Sequence, residues 1–231
     1  EQQIEVLERD YGGLDAIGTA LVDNMYHHGW AWATDTPLRS TKLVAAHFGG
    51  TRTPMVISWP KRIKPDKTPR SQFTHVVDVA PTIYEILEIQ PPKVVDGVEQ
   101  DPIDGVSFAY TFDLPEAPER KETQYFDIMG SRGIYHDHWM ASTFGPRTPW
   151  VAALPDLTKW DPMQDKWELF DTRKDYSLTH DVSSEYPDKL EELKTLFMVV
   201  AEENKVLPIG GALYAMLNPQ EMKRSANTEW T

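Results

Sequence analysis

The residues with the most chemical potential lie between Asn24 and Pro54. Lys42 and His47 stand five apart in a stretch that also carries Arg39, Ser40 and Arg52, and Trp30 and Trp32 lie just upstream. A fixed ammonium beside a donor imidazole suits an anion, but a lone loop lysine is normally a solvated charge. His27-His28 has the residue type for a metal pair, yet adjacent side chains point apart in regular structure. His136-Asp137-His138 has better ligand spacing, since alternate residues of a strand share a face, but it reads as a hairpin turn. Trp30 and Trp32 suit either a packed core or the wall of a pocket for an aryl group. Arg52, next to Gly49-Gly50, reads as an internal ion pair supporting its loop.

Composition narrows the field. The 231 residues carry a net charge of −13, which opposes nucleic acid as a partner. They include no cysteine, so thiolate metal sites, disulfides and cysteine nucleophiles are excluded from this sequence. No apolar run of about 18 residues exists, so no membrane-spanning helix is expected. With 40% hydrophobic residues, eight Trp and nine Tyr, the chain has the material for a sizeable core. Its two ends, Glu1 and Glu229-Trp230-Thr231, read as edges of a piece cut from a longer protein.

Several elements must position those residues. The segment 24–33 is expected to be an aromatic, histidine-rich loop lining a site. Met55 to Trp59 is expected to be a short buried strand stopped by Pro60. Residues 75–89 predict a helix, with Asp78 as N-cap, Pro81 in the first turn, and Val79, Ile83, Ile86 and Leu87 on one side. From Gln90 to Glu122 the chain is rich in Pro, Asp and Glu around an apolar island, Val106–Tyr110, and reads as a connector. Four short strand candidates follow, 125–128, 133–135, 139–142 and 167–171, spaced for a small antiparallel sheet. Pro187 then opens a helix over about 188–204, with Leu190, Leu193, Phe197 and Val200 on one face.

Three phrases in order resemble the type I sulfatases of the alkaline-phosphatase superfamily. One is Thr36-Pro37-Leu38-Arg39-Ser40-Thr41-Lys42 leading to His47-Phe48-Gly49-Gly50-Thr51-Arg52-Thr53-Pro54. The second is Asp78-Val79-Ala80-Pro81-Thr82. The third joins Asp104-Gly105-Val106-Ser107 to Trp167-Glu168-Leu169-Phe170-Asp171. The resemblance covers roughly 20–205. Trp30-Ala31-Trp32-Ala33 and His47-Phe48-Gly49-Gly50 are similar to a bacterial arylsulfatase branch.

The resemblance implies the C-terminal portion of an alkaline-phosphatase-like α/β fold followed by a small α+β subdomain. Its boundaries would be 1–90 for the end of the catalytic α/β domain, 91–122 for the connector, 123–205 for the subdomain and 206–231 for a linker toward a further domain. It implies hydrolysis of a small-molecule sulfate ester, with calcium as cofactor and a formylglycine nucleophile. A phosphonate or phosphodiester hydrolase of the same superfamily, or a non-catalytic carbohydrate- or anion-binding module, would use the same features. Lys42 matches the family's sulfate-holding lysine. His47 would donate to the leaving-group oxygen or order the loop, and Trp30 and Trp32 would face the organic group. The nucleophile motif and the metal-binding carboxylates have no counterpart here, so they are expected in an upstream portion of the same polypeptide. Family members are often exported, which points to a periplasmic or secreted parent.

Overall fold

The computed structural model describes residues 2–22, 26, 28–146 and 159–211. Helices α1 (Gln2–Tyr11) and α2 (His28–Asp35) come first, then the single turn α3 (Phe48–Thr51) and α4 (Val79–Ile86). A two-stranded hairpin, β1 (Val94–Val95) and β2 (Val98–Glu99), leads to β3 (Thr123–Ile128), β4 (Ser131–His136), β5 (Trp139–Thr143) and β6 (Glu168–Asp171), and α5 (Pro187–Glu203) follows. None of the helices among the described residues is long and apolar enough to cross a membrane.

The organising unit is an antiparallel meander in the order β3-β4-β5-β6. Its two tight turns have left-handed residues at both central positions, Met129 and Gly130, then Asp137 and His138. Such turns match the natural twist of the strands they join. The second is the hairpin turn expected around His136-Asp137-His138.

Side chains alternate across the sheet, as the two-residue period of a strand demands. Ile134, Ala141 and Leu169 face α5, whose Leu193, Phe197 and Ala201 repeat every four residues and are fully buried. Tyr135, Met140 and Phe170 face the other way and pack against Phe48, Leu178, Leu38 and Phe73. Phe73 stacks on Tyr135 with ring centroids 3.9 Å apart. The sheet is therefore covered by a helix on one side and by the 38–48 loop on the other. The expected antiparallel sheet with its helix is present.

Three local expectations are corrected. The aromatic stretch is helical from His28, because Trp30, Ala31, Trp32 and Ala33 contain no turn former; Asn24, Met25 and His27 lie outside the described residues. Met55–Trp59 is not a strand: it pairs with no described strand, and Val56 is 92% exposed. The apolar residues there are right for a sheet interior, but a strand needs a hydrogen-bonding neighbour. Helix α4 begins where expected, yet Asp78 does not cap it with its side chain. Instead, Asp78 Oδ2 accepts the His75 N–H at 2.7 Å and closes a preceding 3-10 turn. The buried side of α4 is Asp78 and Thr82, whereas Ile83 and Leu87 of the expected apolar side are exposed.

Candidate active site loop

Lys42 sits at a turn of a loop that doubles back on itself, and glycine makes the doubling possible. A Cβ on Gly49 would collide with the carbonyl oxygens of Arg39 and Ser40, and one on Gly50 would collide with that of Val44. The Gly-Gly pair is thus a backbone-on-backbone contact that admits no side chain. Gly49 N–H donates to the Arg39 carbonyl at 2.9 Å, closing the loop base. Ser40 and Leu43, on either side of Thr41-Lys42, take left-handed φ values of 65° and 73°. Such angles are uncommon for residues with side chains and persist only where surrounding contacts impose them.

Those contacts come from the sheet. The Ala46 N–H donates to Ser131 Oγ on β4 at 3.2 Å, and Arg39 Nη1 donates to the Leu178 carbonyl at 2.5 Å. Phe48 is part of the core beneath. His47 is only 4% exposed, with Nδ1 2.7 Å from Ser40 Oγ and Nε2 3.4 Å from Glu168 Oε2 on β6. A carboxylate only accepts, so Nε2 carries a proton, and Nδ1 is left to share a hydrogen bond with the Ser40 hydroxyl. The hydrogen bond from His47, helped by Arg39 3.9 Å away, holds the Glu168 carboxyl below its ordinary range. Both ring nitrogens of His47 are engaged inward. These contacts tie the loop to β6.

Lys42 behaves in the opposite way. It is exposed and forms no ion pair with the described residues. The loop thus holds a free ammonium on a backbone pinned from below. Leu43 and Ala45, beside Lys42, line a cleft of about 510 Å³ that runs along β3 to Asp127 and Lys121. Neither Trp30, 67% exposed, nor Trp32 lines that cleft; both stand on α2. Arg52 makes no ion pair among the described residues: its guanidinium lies over Tyr176, 4.1 Å from the ring centroid, and over Phe48 at 5.3 Å. This corrects the expected ion pair, and a cation on two ring faces still braces the loop.

A second cluster joins the loop region to the sheet. Asp78 is fully buried, and its Oδ1 accepts from Lys121 Nζ and from the Val106 N–H, each at 2.9 Å. Thr82 Oγ accepts the Phe108 N–H at 3.0 Å. Asp78, Thr82 and Val106–Phe108 are all part of phrases legible in the sequence, but their mutual contact is not. Glu168, Ser131 and Lys121 were likewise missed as anchors. Among the described residues no group of three or more His, Asp or Glu could hold a metal ion.

Residues 20–89 match the family model described as Sulfatase. This segment is sulfatase-family sequence. A sulfatase of Schizosaccharomyces pombe, itself uncharacterized, is 27% identical over 185 residues, which are 79% of this chain and 30% of the yeast protein. The chain thus spans about a third of the length of that sulfatase. Among solved structures, the protein Ps i-CgsB aligns with a TM-score of 0.49 and 23% identity over 68% of this chain and 30% of its own. A structure from a glycosaminoglycan-metabolism locus of Bacteroides thetaiotaomicron aligns at 0.48 and 20% over the same shares. At that level the alignments carry no argument about function. The sulfatase segment contains the whole Lys42 loop and α4, while the sheet that pins the loop lies beyond it.

Proposed function

We propose that this chain supplies the sulfate-holding lysine of an arylsulfatase-type hydrolase, which converts a sulfate ester and water to an alcohol or phenol and sulfate. The observation that carries this reading is the exposed Lys42, without an ion pair among the described residues, on a loop locked by Gly49-Gly50 within the segment that matches the Sulfatase model. Sulfuryl transfer spreads negative charge over the non-bridging oxygens. A prepositioned ammonium stabilises that charge without reorganising as the reaction proceeds. His47 and Glu168 act on Lys42 only through the loop backbone.

The attacking group and the metal belong to other residues. No cysteine and no Ser-x-Pro-x-Arg stands in this sequence to give a formylglycine. The described residues do not fit a calcium site, so no step is assigned to calcium here. Residues 1–90 then belong to the end of a catalytic α/β domain, 91–122 to its connector and 123–205 to the supporting subdomain. The test uses the full-length protein. Lys42→Ala is expected to lower turnover of an aryl sulfate by about 100-fold or more. Near-normal turnover, or a preference for an aryl phosphodiester over the sulfate, would overturn the reading.

A further inference from the structure

Strand β3 is an outer strand of the four-stranded sheet, and all six of its residues line the 510 Å³ cleft. Its register with β4 defines which backbone groups are spare. Ile128 pairs with Ser131 across the two-residue turn, and Phe126 with Gly133 and Gln124 with Tyr135 continue the pattern. In an antiparallel ladder, hydrogen-bonded and non-hydrogen-bonded pairs alternate. The turn-closing pair is hydrogen-bonded, so Thr123, Tyr125 and Asp127 turn their N–H and C=O groups away from β4 and into the cleft. One of these groups confirms the direction: the Tyr125 carbonyl accepts from the side-chain amide of its own neighbour Gln124 at 2.8 Å. No described strand pairs with that edge.

The cleft is also biased in charge. Lys121 on its wall is neutralised by Asp78, and His75 is held toward its neutral form by burial and by the Lys121 charge. Two carboxylates remain on the same cleft, Asp104 and Asp127. Asp127 Oδ2 is buried and accepts no hydrogen bond from a described residue. Its cross-strand neighbour Arg132 is turned aside, with its guanidinium on Asp165 Oδ2 at 2.8 Å and on the Pro162 carbonyl at 2.7 Å. The edge thus joins three outward-facing residues to a carboxylate that feels the Arg132 charge but holds no hydrogen-bonded cation among the described residues.

We infer that β3 is a strand-addition site for an extended basic peptide segment, which pairs with the backbone of Thr123, Tyr125 and Asp127 and sets a lysine or arginine beside Asp127. Backbone pairing supplies affinity in this mode, and alternate side chains supply selectivity. The Gln124 amide swings off the Tyr125 carbonyl to let an incoming N–H take its place. A second copy of the chain is a poor occupant, because two bodies of charge −13 repel each other.

The experiment uses the full-length protein and a fluorescein-labelled peptide alternating valine with lysine, read by anisotropy. Saturable binding is expected, and nitrogen–proton correlation spectra should show the largest shifts at the amides of Thr123, Tyr125 and Asp127. Three changes should each weaken binding by about tenfold: glutamate for lysine in the peptide, alternate N-methylation of its backbone, and Asp127→Asn in the protein. Equal binding of the glutamate or N-methylated peptide would overturn the proposal. So would unchanged affinity of Asp127→Asn, amide shifts centred elsewhere, absence of saturation, or dimerisation of the chain through β3 in the absence of peptide.

Discussion

Gly50 is folded so closely over Val44 that a β-carbon would run into the Val44 carbonyl oxygen. The obstacle is backbone rather than a flexible side chain, so it cannot swing aside. Gly50→Ala is therefore expected to destabilise the chain by about 1–3 kcal/mol, the usual cost of overpacking. The fall in urea midpoint measures it. An unchanged midpoint would mean that the loop is not doubled back as described.

Lys42 should separate function from stability. It is exposed and touches no carboxylate among the described residues, so Lys42→Ala is expected to shift unfolding free energy by less than about 0.5 kcal/mol. Denaturation of the chain reads this directly. A larger loss would make Lys42 a structural residue and remove the basis for its proposed role.

Asp78 and Lys121 form the opposite case. Their side chains are 1% and 6% exposed, with Nζ and Oδ1 2.9 Å apart. Asp78→Ala leaves a buried ammonium alone and is expected to cost about 3–5 kcal/mol. Adding Lys121→Met should recover at least about 1 kcal/mol of that, since the orphaned charge goes with it. Recovery will be incomplete, because the N–H groups of His75 and Val106 also lose their acceptor. A double-mutant cycle in urea gives the coupling, and strict additivity would contradict the pair.

Asp127 gives a pH signature. Burial pushes its carboxyl up to about 6, from 3.8 in an exposed chain. The folded form holds the proton more tightly, so Asp127 stabilises the fold fully below about pH 4. That contribution fades as pH rises through about 6. Asp127→Asn should match the parent in acid and exceed its stability above pH 6 by on the order of 1 kcal/mol after solvent screening. Unfolding curves at pH 4 and pH 7.5 are sufficient. A variant less stable at pH 7.5 would show that the charge is compensated.

How much of this could be read in advance depended on how local each cause was. The four strands and α5 were legible because short apolar runs set off by turn residues, and the spacing Leu190, Leu193, Phe197, Val200, are near-neighbour patterns. Lys42 and Gly49-Gly50 stood out as a phrase, although the carbonyls those glycines accommodate were not visible. The fate of His47 turned on Glu168, 121 residues away, and no local pattern encodes that meeting. Met55–Trp59 misled for a related reason, since its apolar run states a preference for a sheet without supplying the neighbouring strand. The apolar side of α4 was likewise read correctly as a pattern, but the polar pair Asp78 and Thr82 won the buried side by hydrogen bonding to Val106 and Phe108.

The Asp78 carboxylate has one more consequence. Its Oδ1 receives both Val106 and Lys121, so everything from Val79 to Gly105 leaves from and returns to a single buried atom. The far tip of that excursion is the exposed turn at Asp96-Gly97 between β1 and β2. Sequence added at that tip would lengthen a closed circuit without moving either of its ends. The turn is therefore a natural port for grafting a tag, a reporter or a whole domain while β3 and the Lys42 loop keep their places.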